Sequence, residues 1–138
     1  MIVRDVMTSN PVTVQRTDSL RKAVDHMTQI GARRVIVVDD QGRVCGILTD
    51  RDVRLAVNSP LVLRERWQDD MLMDHTEVDA CMTPDPICIK PDAPLEEAVK
   101  ILLERKISGL PVVEDIQLVG IITVTDMLRA LQTLLSTH

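Results

Sequence analysis

Apolar and polar positions along this chain follow one pattern written twice. Val35-Ile36-Val37-Val38 and Ile47-Leu48 are short apolar runs bounded by polar or turn residues, which predicts buried strands. Ahead of them Leu20, Ala23, Val24 and Met27 recur at helical spacing, predicting a helix with one apolar face. After them Thr49 and Asp52 stand three residues apart where the second strand gives way to a helix. The same order returns further on. Leu95, Ala98, Val99 and Leu102 preserve every apolar position of the first helix, and Leu110-Pro111-Val112-Val113-Glu114 answers Val35-Ile36-Val37-Val38-Asp39. Gly120-Ile121-Ile122-Thr123-Val124-Thr125-Asp126 answers Gly46-Ile47-Leu48-Thr49-Asp50-Arg51-Asp52. At the head of each copy, Met7-Thr8 and Pro11-Val12 return as Met82-Thr83 and Pro86-Ile87, and Val14 as Ile89. The turn Asp40-Gln41-Gly42 is one residue longer than its counterpart, a difference expected at a loop tip. Thr17-Asp18 and Asp92 read as N-caps, with Pro94 near the first helical position.

Each copy therefore reads strand, helix, strand, strand, helix. A module of about 55 residues with a three-strand sheet cannot bury both of its faces, so the two copies are expected to pack on each other. The fold class is α+β (mixed α/β), a duplicated β-α-β-β-α motif with pseudo-two-fold symmetry between repeats. The predicted boundaries are a first repeat over 1–57, a connector over 58–79 and a second repeat over 80–138. Asn58-Ser59-Pro60 breaks the repeat, and Glu65, Asp69, Asp70, Asp74, Glu77 and Asp79 outnumber Arg64 and Arg66, so the connector is acidic. Leu61, Leu63, Trp67, Met71 and Leu72 predict a short connector helix packed on the module. His75 lies among the carboxylates but at no recognised metal-ligand spacing, so no metal site is predicted.

Composition narrows the function classes. No apolar run approaches a transmembrane length, and Met1-Ile2-Val3-Arg4-Asp5 lacks a signal pattern, so no membrane role and a cytoplasmic location are expected. The 3 cysteines, Cys45, Cys81 and Cys88, have no Cys-x-x-Cys spacing and argue against a disulfide framework or a zinc site. With no Phe, no Tyr, a single Trp and a net charge of −5, a nucleic-acid partner has little support. No Ser/His/Asp or Cys/His arrangement, Walker loop or Gly-x-Gly-x-x-Gly is present, so an enzyme is not expected.

The candidate chemistry sits in the two Thr-x-x-Asp segments. A helix N-terminus gathers unpaired N–H groups, so a hydroxyl and a carboxylate there are either caps or ligand-binding groups. The repeats differ in charge around them. Arg33, Arg34, Arg51 and Arg54 align with Ser108, Gly109, Thr125 and Leu128, leaving the first copy basic where the second is not. These arginines are either a solvated face or, for Arg51, a phosphate-reading fork.

The repeated Met-Thr and Pro-x-x-Val head, Arg33-Arg34-Val35-Ile36-Val37-Val38-Asp39 with Ser108-Gly109-Leu110-Pro111-Val112-Val113-Glu114, and the paired Gly-apolar-apolar-Thr-x-x-Asp segments resemble the cystathionine β-synthase (CBS) domain pair, or Bateman module. The resemblance covers nearly the whole chain and extends to small stand-alone CBS pairs related to acetoin-utilisation regulators. It implies a regulatory, non-catalytic module that requires no cofactor, takes an adenosine-containing ligand such as AMP, ADP, ATP or S-adenosylmethionine in clefts between repeats, and signals to a partner. It also implies a homodimer, here through Val53, Leu55, Ala56, Met127, Leu128 and Leu131. Carried over by position, Asp52 and Asp126 would accept the ribose hydroxyls, and Thr49 and Thr123 would contact ribose or phosphate. Arg33, Arg34 and Val35, with Ser108, Gly109 and Leu110, would read the adenine edge through their backbone. Val12, Val14, Ile87 and Ile89 would supply apolar walls, with Arg51 and Thr125 beside the motif. Ile36 stands where the family often has the proline found at Pro111. The alternative is a structural or interaction homodimer with vestigial clefts.

Overall fold

The computed structural model describes residues 1–57 and 66–137, with the side chain of Arg66 excepted. Asn58, Ser59, Pro60, Leu61, Leu63, Arg64 and Glu65 of the expected connector lie outside the described residues, as does that Arg66 side chain. The fold is mixed α+β with, among the described residues, five helices and two sheets.

The chain divides into two compact units. One is Val12–Pro86, called here the N-repeat unit. The other, the C-repeat unit, joins Ile87–His138 to Met1–Pro11. Each unit thus holds the lead-in of the opposite repeat, a division that differs from the expected cut between 57 and 80.

In the N-repeat unit, β2 (Thr13–Gln15), β3 (Arg34–Val38), β4 (Val44–Thr49) and β5 (Thr83–Pro84) form one sheet in that order. β2 runs parallel to β3, and β3–β4 and β4–β5 are antiparallel. Helices α1 (Leu20–Ile30), α2 (Asp50–Val57) and α3 (Arg66–His75) belong to this unit. Its core gathers Val14, Leu20, Ala23, Met27, Val35, Val37, Leu48 and Val78, all buried, each large aliphatic one contributing about 1.5–3 kcal/mol. Ser19, rather than Thr17 or Asp18, caps α1 by accepting the Lys22 N–H at 3.2 Å. Asp18 instead accepts the Gln15 N–H at 2.8 Å and closes the turn before the helix.

In α3 the packing differs from expectation. Trp67 and Met71 are exposed, and Met73 is the residue that reaches the core. The helix is tied to α1 at its polar edge, where Arg21 binds both Asp70 and Asp74.

The C-repeat unit builds a sheet in the order β1 (Thr8–Ser9), β7 (Gln117–Thr123), β6 (Gly109–Glu114), both pairings antiparallel, with α4 (Leu95–Arg105) and α5 (Val124–Ser136). The counterpart of β2 is reduced to one bridge, Ile89 to Val112. The reason is local. Arg16 extends β2 by donating its N–H to Val38 O at 3.3 Å, and the aligned residue here is Pro91, which has no N–H. Pro94 is the N-cap of α4 and makes no side-chain cap bond, so Asp92 does not cap it; the Leu95 N–H donates to Met1 O instead. Val99, expected on the core face, is exposed, while Ala98 and Leu102 are buried.

The exchange of lead-ins is the same at both ends. Val78 lies fully buried in the N-repeat core, and its aligned residue Val3 lies fully buried in the C-repeat core. Two glycines make room for the short strands that follow. A Cβ on Gly120 would stand 2.6 Å from Met7 Sδ and 2.9 Å from the Thr8 carbonyl oxygen; on Gly46 it would run into Met82 and stand 3.0 Å from the Thr83 carbonyl oxygen.

Candidate ligand site

Strand register assembles the candidate residues within each unit. β3 opens beside the end of β4, pairing Arg34 with Thr49, and β6 opens beside the end of β7, pairing Gly109 with Thr123. Where each second strand becomes a helix, the first helical N–H turns back to the neighbouring strand: Asp50 donates to Arg33 O at 2.9 Å, and Val124 to Ser108 O at 3.0 Å. Residues 33–35 therefore lie against 49–52, and 108–110 against 123–126.

Both Thr-x-x-Asp segments are capping arrangements. Thr49 N–H donates to Asp52 Oδ2 at 2.9 Å while Asp52 N–H donates to Thr49 Oγ1 at 3.1 Å. Thr123 and Asp126 repeat this at 2.9 and 3.2 Å, and the Thr123 hydroxyl also lies 3.0 Å from Asp126 Oδ2. A cap does not exhaust a carboxylate, which offers about four acceptor positions. The two units differ in what remains. Asp126 is 5% exposed, and its Oδ1 accepts the Thr8 hydroxyl at 3.1 Å. Asp52 is half-buried, and among the described residues its Oδ1 has no hydrogen-bond partner.

The other candidates divide between core and surface. Val14 and Val35 lie in the N-repeat core, and Ile89 and Leu110 in the C-repeat core, so their side chains are committed to packing. Val12 is half-buried and Ile87 is exposed, and these keep apolar surface to offer. Gly109 is buried at the start of β6; Ser108 and Thr125 are exposed. Ile36 and Pro111 are both buried at aligned positions of β3 and β6.

Arg33 and Arg51 are exposed, whereas Arg54 binds Asp50 at 3.1 Å. Arg34 is half-buried; desolvation lowers its pKa, and the Asp50 carboxylate opposes that by favouring the cation. A cavity of about 370 Å³ opens beside this cluster, with Ala32, Arg33, Asp50 and Arg54 among its lining residues. Near Asp52, burial pushes the Cys81 thiol pKa up, and the charges of Asp52 and Asp79 add to the rise. Burial also raises Cys45 and Cys88, so all three thiols are held protonated. Among the described residues no cluster of three His, Cys, Asp or Glu side chains could hold a metal ion.

Thr8 is the partner of a candidate residue, Asp126, that sequence reasoning missed. Met7-Thr8 marks the head of a repeat, but nothing in its neighbours ties it to a carboxylate 118 residues away. The signal available was Gly120, which is needed because the Met7-Thr8 backbone crosses it.

The CBS domain family model matches residues 3–59 and 77–133. A CBS domain-containing protein of Dictyostelium discoideum is 33% identical over 134 residues, covering 95% of this chain and 91% of that protein. Other curated relatives are matched over a smaller share, among them 22% of an inosine-5'-monophosphate dehydrogenase of Methanocaldococcus jannaschii. Among solved structures, one described as an acetoin utilization protein (AcuB) of Vibrio cholerae superposes with a TM-score of 0.82 at 32% identity, covering 99% of this chain and 93% of that one. CBSX2 of Arabidopsis thaliana, solved in complex with AMP, gives a TM-score of 0.80 at 29% identity over 96% of this chain and 97% of that one. Two family matches that take in both copies of the motif, and relatives matched nearly end to end, give one conclusion: the chain belongs to the CBS domain family and carries that domain twice.

Proposed function

We propose that this protein is a regulatory module that binds an adenosine-containing ligand, AMP, ADP, ATP or S-adenosylmethionine, at its Thr-x-x-Asp segments and signals occupancy to a partner protein. The observation that carries this reading is the recurrence in both units of one constellation, a carboxylate and a hydroxyl at a helix start beside the opening of the neighbouring strand. A ribose diol presents two donors, and an ionised carboxylate accepts both with stronger bonds than a neutral group. The AMP complex of CBSX2, 29% identical to this chain, supports adenosine as the recognised moiety. Three cysteines, an odd number with no Cys-x-x-Cys spacing, suit a reducing compartment, and the cytoplasm is the proposed location.

Calorimetric titration with AMP, ADP, ATP and S-adenosylmethionine tests the reading. Saturable binding of at least one is expected, and a ligand at 100 times its dissociation constant stabilises the fold by about 2.7 kcal/mol. Absence of binding and of any melting shift across the panel overturns it. If exposed Arg51 reads phosphate, Arg51→Ala weakens ATP more than adenosine, and rising salt narrows the gap. Equal losses for both ligands would leave Arg51 no such role.

One observation favours the alternative of an interaction protein with vestigial clefts: Asp126 is already fully engaged inside its own unit. Under either reading we propose a homodimer. Val53 and Ala56 pack on the N-repeat core and Met127 on the C-repeat core, so these three leave the expected dimer surface. Leu55 and, along α5, Leu128, Leu131, Leu134 and Leu135 remain exposed, an apolar stripe that favours a partner. Light scattering at micromolar concentration is expected to give about twice 15.5 kDa; the monomer mass with and without nucleotide would exclude the dimer.

A further inference from the structure

Asp52 and Asp126 occupy aligned positions and make the same capping bonds, yet only Asp126 has a hydroxyl from another element on its second oxygen. That hydroxyl belongs to Thr8, whose aligned residue is Thr83. The registers are equivalent, Thr8 facing Ile121 and Thr83 facing Ile47, but Thr83 makes no bond to Asp52. The Thr8 hydroxyl donates to Asp126 as a hydroxyl of a bound sugar would, on a carboxylate that is only 5% exposed and whose same oxygen lies 3.9 Å from Arg129 Nη1.

We propose that Thr8 is an internal substitute for a ligand hydroxyl at Asp126, so that the C-repeat site is occupied by the chain itself and the Asp52 site takes ligand first. This rests on the nucleotide-binding function proposed above and specifies its order of filling. A ligand diol arriving at Asp52 meets an oxygen with no hydrogen-bond partner among the described residues. At Asp126 it must first displace Thr8, an exposed residue whose hydroxyl donates to a charged acceptor that is itself 5% exposed, which weakens apparent binding about five- to thirtyfold. Thr8 is a positioning residue in this scheme; it sets the affinity of the second site by competing for its carboxylate.

The test is calorimetric titration of the full chain with AMP, using Asp52→Asn to isolate the second site and Thr8→Val to remove the competing hydroxyl. On the Asp52→Asn background, Thr8→Val is expected to tighten AMP about five- to thirtyfold, while Thr8→Ser, which keeps the donor, stays within twofold of the parent. A purely structural Thr8 would lower the melting temperature and leave affinity unchanged or weaker, so tightening is the result that only competition produces. Unchanged or weaker AMP binding by Thr8→Val overturns the proposal while leaving nucleotide binding intact. Failure of AMP to bind the wild type and every variant overturns both. If Thr8→Val does not fold, Thr8→Ala read against Thr8→Ser in the same titration decides by the same criterion.

Discussion

Asp52→Ala is expected to lower affinity for an adenosine ligand about ten- to hundredfold, the 1.5–3 kcal/mol of hydrogen bonds to a charged acceptor, and to cost only about 1 kcal/mol of folding stability. The second figure follows because, among the described residues, the Asp52 carboxylate accepts one bond, from the Thr49 N–H. Asp126→Ala should reverse the proportions. It removes the shared acceptor of the Thr123 N–H, the Thr123 hydroxyl and the Thr8 hydroxyl, together with the ion pair to Arg129, from a position only 5% exposed, a loss of about 1–3 kcal/mol in stability with the smaller change in affinity. Titration calorimetry beside chemical denaturation separates the two outcomes. If Asp52→Ala lowers stability by about 1 kcal/mol and leaves affinity unchanged, the carboxylate is a cap and nothing more.

Gly120→Ala should destabilise the protein by about 1–3 kcal/mol, the usual range for overpacking a filled interior, and lower the melting temperature by roughly 4–12 °C. The added methyl meets two obstacles of different stiffness. Met7 can swing its thioether aside, but the Thr8 carbonyl oxygen, 2.9 Å from the new carbon, belongs to a backbone held in pairing with β7. The double variant Met7→Ala, Gly120→Ala is therefore expected to melt no higher than Gly120→Ala alone. Full recovery in the double variant would locate the conflict in the methionine and not in the strand.

Those glycines mark the border of what the sequence discloses. The duplication, the order of elements and the core faces of α1, β3 and β4 follow from side-chain periodicity, because each involves enough residues for a period to register. Two-residue strands do not. Thr8-Ser9 and Thr83-Pro84 carry no alternation, so their crossing into the opposite repeat left only an indirect trace, a glycine in the middle of each receiving strand. At the candidate site, type and spacing singled out Thr49, Asp52, Thr123 and Asp126, and pairing of adjacent strands sets Arg33–Val35 and Ser108–Leu110 beside them. Which candidates present side chains outward was not legible. Val14, Val35, Ile89 and Leu110 are as apolar as Val12 and Ile87, and burial alone separates them. The position of Val53 and Met127 on the core side of their helices is of the same kind, since an apolar residue on a short helix fits either face.

The crossing of lead-ins also sets a schedule for synthesis. Every residue of the N-repeat unit has been made once Pro86 is added, so that unit can close while the rest of the chain is still being translated. Met1–Pro11, translated before all of it, must wait for β7 before Thr8 and Ser9 have anything to pair with. During that interval Val3, destined for a fully buried position, stays in solvent. Met1–Pro11 are thus translated ahead of the N-repeat unit and ordered after it, and a substitution in this segment would act first on the folding of the C-repeat unit.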